Sequence, residues 1–112
     1  MVNEKTPEQK VRLDKWLWAA RFFKTRALAK VAIEGGKVHI DGHRAKPSKE
    51  ITVGTLLDIR QGWDEKTVLV EQLSTQRRGA DDAAKLYTET EQSRIRREQQ
   101  ALQRKVAQQG IR

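Results

Sequence analysis

Lys24-Thr25-Arg26, with Lys30 one helical turn beyond Arg26, is the part of this 112-residue chain best suited to chemistry. Two cations and a hydroxyl stand where a helix is predicted to begin, with Thr25 as its cap. The free N–H groups and partial positive charge of a helix start favour a phosphate. Arg26 and Lys30, four residues apart, share an outer face of that helix. Lys46-Pro47-Ser48-Lys49 forms a second basic point in a rigid, exposed segment, and Lys37 and Arg44 flank an Asp41-Gly42 turn. If helix and hairpin pack as one unit, these cations share a groove that neutralises phosphates.

Charge runs are ordinarily solvated helix faces, and the regional balance argues against that here. Between Lys10 and Lys49 eleven Lys or Arg meet three acids, Asp14, Glu34 and Asp41, and none of these stands beside the Lys24-Thr25-Arg26 turn. The resulting +8 equals the net charge of the whole chain. A surface shaped for solubility alone interleaves both signs. One concentrated basic face points to a polyanion, RNA or DNA.

Other chemistries find little footing. The chain has no cysteine, which removes disulfides, thiolate metal sites and cysteine nucleophiles. His39 and His43 straddle a turn without clustered carboxylates, so no metal site is expected. Gly35-Gly36 lacks the flanking pattern of a phosphate-binding glycine loop. No serine–histidine–acid set is suggested by local context. A non-enzyme without cofactor is expected. The opening MVNEKTPEQK has no apolar stretch of the signal-peptide kind, and no run approaches the roughly 20 apolar residues of a membrane span. A cytoplasmic protein that does not insert into membranes is the expectation.

The elements that must hold these residues follow from periodicity. Residues 1–9 are polar and expected to be loose, although Thr6-Pro7-Glu8-Gln9 has the form of a helix start; the first helix begins there or nearer Arg12. Leu13, Trp16, Leu17 and Ala20 fall on one helical stripe within a helix from Leu13 to Phe23. A break at Lys24 precedes a second helix from Thr25 to Glu34, with Leu28, Ala29, Ala32 and Ile33 inward, ended by Gly35-Gly36. The period then changes to two. Lys37 to Ile40 runs into the Asp41-Gly42 turn and returns from His43, a hairpin signal. Leu56 to Arg60 and Thr67 to Leu73 read as further strands around a Gln61-Gly62-Trp63-Asp64 loop. Residues 74–79 read as a linker, and 80–112 as a charged C-terminal helix of about 28 ordered residues, roughly 42 Å long.

Trp16 and Phe23 are assigned to the core. Trp18 and Phe22 lie partly off the stripe, to stack on unpaired bases or to cover the sheet edge or the C-terminal helix. Trp63 is placed as a cap on the sheet.

Arg12-Leu13-Asp14-Lys15-Trp16-Leu17, Arg21, Lys24-Thr25-Arg26, Ala29, Ile33, Gly36-Lys37-Val38, Asp41-Gly42 and Lys46-Pro47-Ser48 together resemble the S-four RNA-binding domain. The likeness spans about residues 10–60, within a domain placed at 10–73, and is greatest to a ribosome-associated stress-response branch. The resemblance implies an α+β fold of the αL type: a two-helix hairpin packed on a small, mostly antiparallel sheet, followed by the long C-terminal helix. It implies RNA-facing roles for Arg12, Lys15, Arg21, Lys24, Thr25, Arg26, Lys30, Lys37, Lys46 and Ser48, which the groove reading extends to Arg44 and Lys49.

The resemblance also implies binding to ribosomal RNA of the large subunit. The target would be free subunits carrying a nascent chain on transfer RNA, recycled under heat stress. A transfer-RNA-binding or RNA-modification accessory and an adaptor working through the C-terminal helix are the alternative readings. Members of that branch often extend into a basic tail, whereas this chain stops at Arg112; removal of such a tail would make +8 an understatement.

Overall fold

The computed structural model describes residues 10–62 and 64–110. The expectations for Thr6–Gln9 and for Trp63 lie outside them. In chain order the elements are β1 (Val11–Arg12), α1 (Leu13–Ala19), α2 (Arg26–Glu34), β2 (Val38–Ile40), β3 (His43–Arg44) and β4 (Glu50–Ile51). They continue with β5 (Leu56–Gln61), β6 (Asp64–Val70), α3 (Ala80–Ala84), β7 (Tyr87–Glu89) and α4 (Glu91–Gly110). The fold is α+β, as expected. A five-stranded antiparallel sheet runs β3-β2-β5-β6-β7, with β1 and β4 paired separately.

Helix α1 ends four residues earlier than its periodicity suggests. Ala20 caps it and Arg21 turns left-handed at φ 66°. The Arg21 N–H donates to the Trp18 carbonyl and the Phe22 N–H to the Leu17 carbonyl, each at 3.0 Å. This is a Schellman ending with arginine where glycine is usual, and it carries the characteristic contact between the following residue and the helix. Phe22 is thereby thrown inward, 8 % exposed, stacked 6.0 Å from Trp16 and tilted against Tyr87 at 4.7 Å. Base stacking by Phe22 is therefore ruled out by its burial. Phe23 is half-buried at the core edge, as is Trp18. A Phe ring shut into a core contributes about 1.5–3 kcal/mol, which the stripe-based reading had assigned to its neighbour.

Helix α2 starts at the predicted cap. Thr25 Oγ1 accepts from the Leu28 N–H at 3.0 Å. Ala29, Ala32 and Ile33 face the core, but Leu28 stands half exposed, as does Val31. Gly36, at φ 79°, reverses the chain into β2. The β2–β3 turn has both Asp41 and Gly42 at positive φ, the backbone that an Asp-Gly pair accommodates best. Trp16, Leu17, Ile33, Val38, Leu57, Ile59, Val68 and Val70 form the floor between helices and sheet. Trp16 is fully buried and satisfied by donating its Nε1–H to the Gln72 carbonyl at 2.9 Å.

The C-terminal region differs most from expectation. The continuous helix predicted from residue 80 is three elements, and the long helix starts at Glu91. Tyr87–Glu89 pairs with β6 and supplies a fifth strand. Thr90 then caps α4, its Oγ1 accepting from the Ser93 N–H at 3.2 Å. Ala, Glu and Gln in this stretch favour a helix locally, but Tyr-Thr-Glu-Thr has the alternation and β-propensity of an edge strand. Tertiary pairing with β6 decides in favour of the strand.

Candidate nucleic-acid interface

The two basic points of the sequence meet through the start of α1. The Leu13 N–H donates to the Lys49 carbonyl at 2.8 Å and the Asp14 N–H to the Pro47 carbonyl at 3.2 Å. The Lys46–Lys49 loop thus satisfies the first donors of α1 and fixes its own cations beside Arg12. On the other wall, Arg44 Nη2 donates to the Glu34 carbonyl at 2.8 Å, closing the C-terminal end of α2. A cation there also complements the helix dipole. The hairpin is in this way tied to α2, as the loop is to α1.

Between these walls runs an open groove of about 1210 Å³. It is lined by Arg12, Lys30, Arg44, Lys46, Ser48 and Lys49, half of the predicted site residues, over a floor that includes Ile40, Ala45 and Pro47. Five of the predicted cations and Ser48 are thus brought into one groove, whereas Lys37 is not. Glu34 and Asp41 lie on its rim, so the groove is cationic without being purely so.

The other six predicted residues stand outside the groove. Lys15 is half-buried on α1. Lys24 and Thr25 are exposed in the α1–α2 turn, and Lys37 is exposed before β2. Thr25 acts chiefly as the helix cap. Arg21 points to the far side, where its Nη1 donates to the Arg78 carbonyl at 2.9 Å.

Arg26 is joined to the groove indirectly, through Asp14, an acid of the Arg12–Leu17 motif to which no site role was assigned. Asp14 is fully buried. Its Oδ1 accepts from Arg12 Nε at 3.2 Å and from Arg26 Nη2 at 3.5 Å, and its Oδ2 accepts from Arg12 Nη2 at 3.0 Å. The expectation that no acid lies near the Lys24-Thr25-Arg26 turn is thus corrected: folding brings Asp14 twelve residues along the chain to Arg26. Burial pushes the Asp14 carboxyl up, but the hydrogen bonds and charge of Arg12, with Arg26 and the Lys15 N–H, outweigh it and hold the group below its ordinary value. The same hydrogen bond and charge raise the Arg12 guanidinium. Asp14 stays ionised and holds two arginines in fixed directions, each with its side chain still partly exposed. A sequence signal existed in the Arg12-Leu13-Asp14 spacing, but its meaning depends on the loop that buries it.

An arrangement of exposed cations on two helix ends and a hairpin loop can neutralise several phosphates of a folded polyanion. Among the described residues no group of His, Cys, Asp or Glu is placed to hold a metal ion. No helix among them is long and apolar enough to cross a membrane.

Comparison with known proteins shows the family of the chain. The S4 domain matches residues 11–57, which carry both helices, the hairpin and the loop. Heat shock protein 15 of Escherichia coli K12 is 58 % identical over 100 residues, covering 89 % of this chain and 75 % of that protein. The chain belongs to the heat shock protein 15 family. RNA binding and ribosome association go with that family and its S4 domain. A solved structure described as trimeric Vibrio cholerae heat shock protein 15 superposes with a TM-score of 0.85 at 56 % identity, covering 88 % of this chain and 99 % of that one. The RQC P-site tRNA stabilizing factor of Bacillus subtilis is more distant, 37 % identical over 78 residues, which are 70 % of this chain and 90 % of that factor.

Proposed function

We propose that the protein binds ribosomal RNA of the large ribosomal subunit without catalysing a reaction. On this reading it engages free subunits that carry a nascent chain on transfer RNA and helps return them to use under heat stress. The observation that carries the reading is the groove between α2, the start of α1 and the β2–β3 hairpin. It gathers five cations from segments up to 37 residues apart, Arg12 to Lys49. Its width and open shape suit a folded RNA backbone better than a small molecule, and its partly apolar floor suits sugar edges. Similarity to heat shock protein 15 supports the stress-related role.

Each phosphate neutralised steepens the dependence of log K on log salt by about 0.7–0.9. Binding of the full chain to purified large subunits should therefore weaken, and its salt slope flatten, when Lys46 and Lys49 are changed to Glu. Reversal of Lys24 and Arg26 should do the same to a smaller extent, because neither lines the groove. A Lys46→Glu/Lys49→Glu variant that binds large subunits as tightly as the parent would remove this site from the reading.

The similarity to a P-site tRNA stabilizing factor favours, as a second reading, contact with transfer RNA itself. Competition separates the two. Excess free transfer RNA should displace the protein from large subunits only if transfer RNA supplies the main contact.

A further inference from the structure

Outside the groove a second set of cations gathers near the α1–α2 turn, and the segment 74–79, which reads as a linker, contributes Arg78 to it. Arg21 occupies φ 66° at a helix ending where glycine would carry no penalty. A side chain kept in such a backbone position directs attention to what the side chain does. Its Nη1 donates to the Arg78 carbonyl at 2.9 Å.

Contacts also run the other way. Arg77 Nη1 donates to the carbonyls of Trp18 at 2.7 Å and Phe23 at 3.1 Å. It closes the end of α1 and fixes residues 74–79 to the basic turn. Arg77 is thereby occupied by backbone carbonyls, whereas Arg78 meets only a neutral amide and keeps its Nη1 without a partner among the described residues. Its guanidinium is exposed, with Nε and Nη2 both donating to Gln76 Oε1 at 3.3 and 2.8 Å. An amide oxygen orients a guanidinium without neutralising it. Neither Arg21 nor Arg78 pairs with a carboxylate among the described residues. Lys10 shares with Arg78 the lining of a shallow recess of about 370 Å³. Lys24 lies three residues from Arg21 on the same exposed turn. One acid, Asp82, lies close by, in the adjoining recess that Arg78 also lines.

We infer that Arg21 and Arg78, with Lys10 and Lys24 beside them, form a second contact site for backbone phosphates of the RNA held in the groove. This rests on the RNA-binding reading above. An oriented guanidinium matches a phosphate in two-pronged fashion, and a frame pinned by Arg77 presents it without an ordering cost on binding. The protein then grips its RNA from two sides of the α1–α2 hairpin, with the supposed linker as part of the binding surface.

The test titrates the full chain with deproteinised large-subunit ribosomal RNA across about 50–200 mM salt. Arg78→Ala should weaken binding several-fold and lower the salt slope by about 0.7–0.9, one phosphate contact. Arg78→Lys should restore the slope. Arg21→Gly should melt a few degrees higher while binding less tightly, a combination that a purely structural arginine does not produce. Three results overturn the inference: unchanged affinity and slope in Arg78→Ala, a lowered salt slope that Arg78→Lys does not restore, or an Arg21→Gly variant that binds as the parent does. If these hold while Lys46→Glu/Lys49→Glu weakens binding, the second site fails and the groove stands. If Arg78→Ala weakens binding and the groove variant does not, the second site stands and the groove reading fails.

Discussion

Asp14 illustrates how much of a binding surface depends on a residue that never touches the ligand. Counted as charge, it opposes RNA binding; as geometry, it aims Arg12 and Arg26. The two views predict opposite outcomes for Asp14→Asn, which keeps the shape and makes the chain one charge more positive. Charge alone predicts tighter binding. The observed contacts predict weaker binding, by several-fold in a filter or fluorescence titration against ribosomal RNA, together with a lower melting temperature. The pH dependence has a definite sign. The Asp14 carboxyl is held below its ordinary value in the folded chain, so its stabilising contribution is present above the ordinary carboxylate range and lost as pH falls through the lower folded value. The Asn variant should lack that part of the acid dependence. Thr25 as a cap was legible from its position before an apolar helical pattern. Asp14 was not, because its place depends on Arg26, twelve residues on, and on a loop more than thirty residues away whose carbonyls hold the start of α1.

The root of α4 is an element held by one compact network. Glu89 accepts from Arg97 through both carboxylate oxygens at 2.7 Å and from Ser93 Oγ at 2.7 Å. Ser93, fully buried, accepts in turn from the Thr67 N–H at 2.9 Å. The first turns of α4 thus close the edge of β6 beyond the end of β7, a protected edge in place of a free one. The Arg97 hydrogen bond, against the opposing cost of burial and with help from Ser93, the Arg97 charge and Lys66, lowers the Glu89 carboxyl to about 2 from an ordinary 4.5. A depressed carboxyl contributes stability above its unfolded value and loses it as pH falls toward the folded one. The structure should therefore lose stability between about pH 4.5 and 2. Glu89→Gln should be less stable at neutral pH and flatter across that interval, as followed by thermal melts. At this scale α2 and the β2–β3 hairpin were legible because capping, periodicity and an Asp-Gly turn are local signals. The end of α1 was not, since an arginine in a left-handed conformation has no sequence mark. Nor was β7, whose helix-prone surroundings yield to pairing with β6.

As a whole the molecule is elongated, 65 × 27 × 25 Å, because the outer part of α4 leaves the body. Side chains from Glu98 to Ala107 are exposed throughout, including Leu102 and Val106. Removing residues 98–112 should leave the melting temperature nearly unchanged, since every side chain from Glu98 to Ala107 is exposed, and on the proposed reading RNA affinity should stay within about twofold. An adaptor working through this helix would instead lose its function with RNA affinity intact. A cut at residue 80 cannot make that distinction, because it also removes Ala83, Leu86 and β7 from the body. The sequence by itself determined that a concentrated basic unit of two short helices and a hairpin would face a polyanion. Net charge, caps and glycine turns are properties of neighbouring residues, and the S-four motif order stands in the chain as written. Only the tertiary structure decided which cations share the groove, that Asp14 orients Arg12 and Arg26, that Phe22 is core, and that residues 74–79 lie against the basic turn. Those outcomes are set by contacts between segments ten to sixty-five residues apart, whose geometry no local pattern carries.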